Sequence, residues 1–314
     1  MNLPHGGKYF RSSEACRFAV FALALVAGVG RRASGVPPQP GDGVVPAAVE
    51  IHRPSPSEVT HIRDALGSFL EGADAETKAL VHEYPDLIAV RPPRENPALE
   101  PALRPAYEKK REGNLERIGK GPIQLLLMGD SITDFWRNIG APGVDNTPRA
   151  GARVGPRYFD PATTANFGIS GDTIQGVLYR LKNGEGSGFQ PKAIMLLIGT
   201  NNIATCSAAE IAEGIGAIVF ELRKDFPSSK ILLLGIFPRG TPDDPARQTI
   251  AGINRRIAAL DDRKIVHYLD IRAKFLASDG TLPPDIMPDK LHPSEKGYVI
   301  WGEATKDILS ELMR

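Results

Sequence analysis

The chain has 314 residues, 42% of them hydrophobic and 24% charged, with 38 basic against 37 acidic side chains. That composition is too apolar for a disordered chain and too charged for a polytopic membrane protein. The even charge, the lack of a long basic run and an aromatic content of 7% disfavour a nucleic-acid surface, and two cysteines, Cys16 and Cys206, exclude a disulfide framework.

Lys8, Arg11 and Arg17 precede an apolar run over 18–29. The run has about the length of a signal-peptide core and falls short of the ~20 residues that a membrane span needs. Ala33 and Gly35 are small residues of the kind that flank a cleavage site, so residues 1–35 read as an export segment. Arg31 and Arg32, directly after the run, keep an uncleaved anchor as the alternative. Cleavage would remove Cys16 and leave Cys206 unpaired. Pro37, Pro38, Pro40, Pro46, Pro54 and Pro56 mark a linker over 36–56.

Ser57 is placed to cap a helix running to Glu71, with Val59, Ile62, Leu66 and Phe69 at helical spacing. A second, shorter helix follows over 74–84. The stretch Arg91-Pro92-Pro93-Arg94-Glu95-Asn96-Pro97 breaks regularity, because proline disfavours helix at the residue before it. Residues 103–119 are charged and read as helical. Residues 57–120 thus form a proline-interrupted helical lead-in to a domain over 121–314.

From residue 122 short apolar runs alternate with amphipathic helices. Strands are expected over 124–128, 164–167, 193–198, 231–236 and 265–269, and helices over 173–183, 207–225, 247–260 and 294–312. Asp172 or Thr173 should cap the first of these helices. Continuous apolar strands separated by helices imply a parallel sheet covered on both faces, a three-layer α/β domain. Ligands in such sheets sit beyond the carboxyl ends of the strands.

The chemically unusual residues fall at those ends. Gly129-Asp130-Ser131 follows the first strand, where a serine is commonly only a helix cap. It also exposes a hydroxyl beside unpaired backbone N–H groups. Its flanks are not those of the Gly-x-Ser-x-Gly elbow. Asn166-Phe167-Gly168-Ile169-Ser170-Gly171-Asp172-Thr173 follows the second strand, and its glycines fit an ordinary tight turn or an amide aimed at a reacting atom. It is not a dinucleotide fingerprint, and no Walker lysine follows. Gly199-Thr200-Asn201-Asn202 follows the third strand, where asparagine is a turn former or an amide donor. Asp289-Lys290-Leu291-His292 precedes the last helix, and an aspartate three residues before a histidine can reach and orient its ring. A metal site needs more ligands than this pair supplies.

Together, in this order, these segments resemble the four consensus blocks of the GDSL, or SGNH, hydrolase family. Gly129-Asp130-Ser131-Ile132 matches the nucleophile block, with isoleucine where the family name has leucine. Gly171 matches the glycine block, Asn201 the asparagine block, and Asp289 with His292 the Asp-x-x-His block. The octapeptide from Asn166, the run Tyr179-Arg180-Leu181-Lys182-Asn183-Gly184-Glu185 and Phe237-Pro238-Arg239-Gly240 resemble the platelet-activating-factor acetylhydrolase-like branch. The likeness spans 115–312.

The resemblance implies a flavodoxin-like sheet of order 2-1-3-4-5 and acyl transfer through a serine ester. Ser131 is then the nucleophile, His292 the base and Asp289 its orienting carboxylate. The backbone N–H groups of Ser131 and Gly171 and the Asn201 amide form the oxyanion hole. Asp130 and Asp172 are expected to serve as turn and cap residues, with Asp285 the weaker candidate for the acid. No cofactor is implied. The implied activity is a short-chain, chiefly acetyl, esterase acting on a small-molecule or carbohydrate ester, with no nucleic acid and no stable membrane span. The alternative is a catalytically silent carbohydrate- or partner-binding module on the same fold.

Overall fold

The computed structural model describes residues 45–87, 89–90, 94–137 and 150–314. The export segment expected over 1–35, Cys16 and the linker as far as residue 44 lie outside the described residues.

The lead-in holds helices α1 (Pro56–Glu71), α2 (Ala75–Glu83) and α3 (Glu108–Ile118). The cap of α1 is Ser55 rather than Ser57, in a capping box with Glu58. Pro56 explains the shift: it lacks an N–H and has a fixed φ, so it sits best at the first helical position. On α1 and α2 only Val59 is buried. The segment between them and α3 is bound more firmly to the rest of the chain. Arg94 Nε and Nη2 each lie 2.7 Å from a Glu210 carboxylate oxygen. The Asn96 amide donates to Glu213 at 2.8 Å, and Ala98 is fully buried.

Five strands form one parallel sheet: β1 (Leu125–Gly129), β2 (Thr164–Asn166), β3 (Ala193–Leu197), β4 (Lys230–Leu234) and β5 (Val266–Leu269). Their order is β2-β1-β3-β4-β5. Register pairs Leu126 of β1 with Ala165 and Ile194 on its two sides. Side chains alternate between two cores. Leu126, Met128, Ile194, Leu196, Ile231 and Leu233 face one; Leu125, Leu127, Met195, Leu197, Leu232 and Leu234 face the other. Burial of both faces explains why the strands read as unbroken apolar runs, since each such side chain gains about 1.5–3 kcal/mol on leaving water.

Among the described residues, six α-helices complete this region. They are α4 (Ser131–Asp134), α5 (Ala150–Val154), α6 (Ile174–Arg180), α7 (Ala208–Asp225), α8 (Pro245–Ile257) and α9 (Glu295–Leu312). Helices α6, α7 and α8 cover the first core. Helix α9 covers the second through Tyr298 and Trp301, which pack with Trp136. The architecture is therefore the three-layer α/β sandwich expected, with a helical N-terminal extension. The helix expected to reach residue 183 ends at Arg180 and passes into a π-helical turn, Leu181–Glu185, in which Gly184 has φ 114°. That turn returns Glu185 to the Arg180 guanidinium. Among the described residues no helix is long and apolar enough to cross a membrane.

Candidate active site

Ser131 opens α4 at the carboxyl end of β1 and is 8% exposed. The chain can turn there because residue 129 is glycine: a Cβ would fall 2.1 Å from the Leu197 carbonyl oxygen and 2.4 Å from Thr133 Oγ1. Asp130 caps the turn, its Oδ1 accepting the Ile132 N–H at 3.0 Å. Burial pushes the Asp130 carboxyl up to about 7; the Ile132 N–H opposes that rise and the charge of Asp172 adds to it. From the second core, Tyr298 donates its hydroxyl to the Ile132 carbonyl at 2.7 Å and fixes α4 against α9.

His292 reaches the same point from the loop before α9. Its Nε2 lies 2.9 Å from Ser131 Oγ, and its Nδ1 lies 2.6 Å from Asp289 Oδ2. The other Asp289 oxygen accepts the backbone N–H groups of Leu291 at 3.0 Å and His292 at 2.7 Å. This tight turn sets Lys290 at φ 59°. Burial disfavours the Asp289 charge, but the ring and backbone donors of His292 and the Leu291 N–H outweigh it, so its carboxyl titrates below the ordinary range. Phe135 stacks on the imidazole, with ring centroids 5.1 Å apart and planes 21° from parallel. The expected Asp–His–Ser chain is thus assembled. Asp285 takes no part in it: its carboxylate binds Lys296 Nζ at 2.5 Å, and its carbonyl accepts the Ser294 hydroxyl at 2.6 Å.

The turns that carry the other two expected residues, Gly171 and Asn201, are joined through Asp172. Gly171 adopts φ +82°, a left-handed conformation that side chains other than glycine rarely take. Asn201 lies in a 3₁₀ turn after β3, Thr200–Asn202, and its Nδ2 donates to the Asp172 carbonyl at 2.8 Å. One amide hydrogen is used there and a second remains. Neither the Ser131 nor the Gly171 backbone N–H meets an acceptor among the described residues. Asn202 is a structural residue instead: its Oδ1 accepts the Ile174 N–H at 3.1 Å and its Nδ2 donates to Gln175 at 2.8 Å. Thr173 holds the N-cap position of α6, as expected, but its side chain makes no cap bond; Asn202 satisfies the Ile174 N–H instead. Asp172 accepts the Thr173 N–H at 2.9 Å and is paired with Arg180 Nη2 at 2.9 Å.

Several neighbours of the site carry no sequence signal of their own. Phe135 sits just outside the Gly-Asp-Ser-Ile block, and Tyr107, Lys110 and Asn114 precede every block. Arg180 and Glu185 fall within a stretch that resembles the acetylhydrolase-like branch, but likeness alone gives them no role. Chemically, a hydroxyl bonded to an imidazole that a carboxylate holds is arranged to lose its proton on attacking an electrophile.

Residues 127–300 match the model of the GDSL-like Lipase/Acylhydrolase family. The chain is 39% identical over 190 residues to platelet-activating factor acetylhydrolase IB subunit alpha2 of Rattus norvegicus, covering 60% of this chain and 77% of that protein. It is 38% identical over 209 residues to the alpha1 subunit of the same organism, covering 66% and 80%. A solved protein structure from Streptococcus pneumonia superimposes with a TM-score of 0.52 at 23% identity, over 64% of this chain and 92% of that one, and speaks for the fold. The family match runs from within β1, just before the serine turn, to just past the start of α9, and so encloses all four motif blocks. With that span and these relatives, the chain belongs to the GDSL-like lipase/acylhydrolase family.

Proposed function

We propose that this protein is a serine esterase that hydrolyses short-chain, chiefly acetyl, esters through a covalent acyl-enzyme. The observation that carries the reading is the hydrogen-bonded chain from Asp289 through His292 to Ser131. In this reading His292 Nε2 takes the Ser131 proton as Oγ attacks the ester carbonyl, and later returns it to the leaving alcohol. Asp289 holds the Nδ1–H tautomer and stabilises the imidazolium. The free N–H groups of Ser131 and Gly171, with the unused amide hydrogen of Asn201, receive the negative charge that develops on the carbonyl oxygen. Water then attacks the acyl-serine by the same proton route, releasing the acid and restoring the hydroxyl. The relatives are named acetylhydrolases, which favours a small acyl group. Export, the expectation drawn from residues 1–35, would bring the enzyme to acetylated polysaccharide rather than to a cytosolic lipid, so an acetylated carbohydrate is proposed as the alcohol side.

The test is hydrolysis of aryl acetate, butyrate and octanoate beside acetylated xylan, with mass-spectrometric mapping of organophosphate labelling. Turnover that falls with acyl length, one label per chain on Ser131, and inactive Ser131→Ala are expected. No hydrolysis of any ester together with no labelling would favour a silent binding module. Activity surviving Ser131→Ala would move the nucleophile elsewhere.

A further inference from the structure

The loop over 168–172, which presents Gly171, is held at four polar points. Arg137 Nη2 donates to the Gly168 carbonyl at 2.6 Å. Ser170 donates to Asp134 Oδ2 from both its hydroxyl, at 2.6 Å, and its N–H, at 3.2 Å. Arg180 binds the Asp172 carboxylate through Nη2 at 2.9 Å and Nε at 3.1 Å. Asn201 holds the Asp172 carbonyl. Three of these four clamps lead back to α3. Lys110 Nζ lies 2.8 Å from Asp134 Oδ2, the oxygen that also receives Ser170. Asn114 donates to Glu185 at 2.9 Å, and Glu185 is the second carboxylate on Arg180. The Asn114 Oδ1 also accepts from the Arg137 guanidinium at 3.4 Å. Just before α3, the Tyr107 hydroxyl lies 2.6 Å from where a Cβ on Gly171 would sit.

We infer that α3, which precedes the family match, is a positioning element of the reaction: Lys110 acts through Asp134 and Ser170, and Asn114 through Glu185, Arg180 and Asp172, to hold the Gly171 N–H where the oxyanion forms. This rests on the acyl-transfer reading above. The physical argument is that these clamps are charged and buried. Asp134, Asp172, Arg180 and Glu185 are each at most 3% exposed. A charge at such a site is stable only with its partners in place, so its geometry is stiff. A backbone donor works on the transition state only at its correct position, and displacement by ~1 Å costs on the order of 10²-fold in rate.

The experiment compares Lys110→Met, Lys110→Arg and Asn114→Ala with the wild-type chain on an aryl acetate. It reads kcat, KM, melting temperature and inhibition by an alkyl boronic acid, which forms a tetrahedral adduct on the serine. Lys110→Met should lower kcat on the order of 10- to 10²-fold and leave KM within about twofold. Boronate affinity should weaken in parallel with kcat, because a tetrahedral adduct uses the same donors. Lys110→Arg should recover most of the loss, and Asn114→Ala should follow Lys110→Met in direction. Wild-type kcat and boronate affinity in Lys110→Met would overturn the inference, as would an arginine no better than methionine. Should Asn114→Ala fail to fold, the two lysine variants still decide. A wild-type chain with no esterase activity would overturn the acyl-transfer reading and this inference with it, an outcome distinct from an active wild type beside unimpaired variants.

Discussion

The side-chain amide of Asn201 donates to the backbone carbonyl of Asp172 at 2.8 Å, so the turn after β3 is tied directly to the residue that follows Gly171. Two groups assigned to one oxyanion hole are therefore fixed to each other before substrate arrives. Such preorganisation gives the donors their value, because nothing has to reorient as charge develops. Asn201→Ala removes one donor and the tether together. It should lower kcat for an aryl acetate by on the order of 10²–10³-fold, with a small change in melting temperature. Asn201→Asp should be no better, since a carboxylate repels both the Asp172 carbonyl and the oxyanion. A kcat within a few-fold of wild type in Asn201→Ala would remove Asn201 from the site.

Arg180 is fully buried between Asp172 and Glu185. Burial works against its charge, but the two carboxylates outweigh that cost and lift its pKa above an already high value. Arg180→Met would leave two buried carboxylates without their cation. Breaking a buried pair in this way costs about 3–5 kcal/mol. Urea denaturation should show a correspondingly lower midpoint with an unchanged slope. A variant as stable as wild type would mean that Asp172 and Glu185 are neutral without the arginine.

Asp130 gives a dependence of stability on pH whose sign follows from its burial. The folded-state pKa is raised from 3.8 to about 7. Between those values the folded chain keeps a proton that the unfolded chain has lost. Stability from this group therefore falls as pH rises from about 4, and the loss is complete above about 7. Asparagine in its place carries no charge and can still accept the Ile132 N–H. Asp130→Asn should therefore gain stability relative to wild type as pH rises through that window, by up to about 4 kcal/mol. Denaturation at several pH values checks this, and a difference constant across the window would refute it.

Much of the fold was readable because burial on both faces leaves unbroken apolar runs at 125–129, 193–197 and 231–234, and the helices between them carry their own periodicity. Ser131, Asp289 and His292 were readable for another reason: each sits in a short local segment whose spacing matches a family block. What escaped is what depends on distant partners. Lys110 meets Asp134 across 24 residues and Asn114 meets Glu185 across 71. Such pairs leave no periodic trace in a single chain. The first turn of α6 depends on a distant partner in the same way: Thr173 is its N-cap, but the Ile174 N–H is satisfied by Asn202 from another strand end. The α1 cap is Ser55 and not Ser57 because Pro56, which composition groups with the linker prolines, is the first helical residue.

Asp285 and Asp289 lie on one loop before α9, and substitution separates their roles toward His292. Asp289 Oδ2 faces the ring Nδ1 at 2.6 Å, and Oδ1 holds the turn through the N–H groups of Leu291 and His292. In Asp289→Asn the side-chain amide oxygen can keep the turn. The amide NH₂ group would then face Nδ1 and donate to it, which forces the ring proton onto Nε2, opposite the Ser131 hydroxyl. An imidazole in that tautomer cannot accept the serine proton. The substitution should therefore reduce kcat on the order of 10⁴-fold, as in a serine-protease triad, while the chain stays folded. Asp285 faces Lys296 at the surface, and its contact with Ser294 is made by its carbonyl, which asparagine retains. Asp285→Asn should hydrolyse an aryl acetate within about twofold of wild type, because an exposed ion pair contributes little. If Asp285→Asn is crippled and Asp289→Asn is mild, the loop must rearrange in the working enzyme so that Asp285 meets the imidazole.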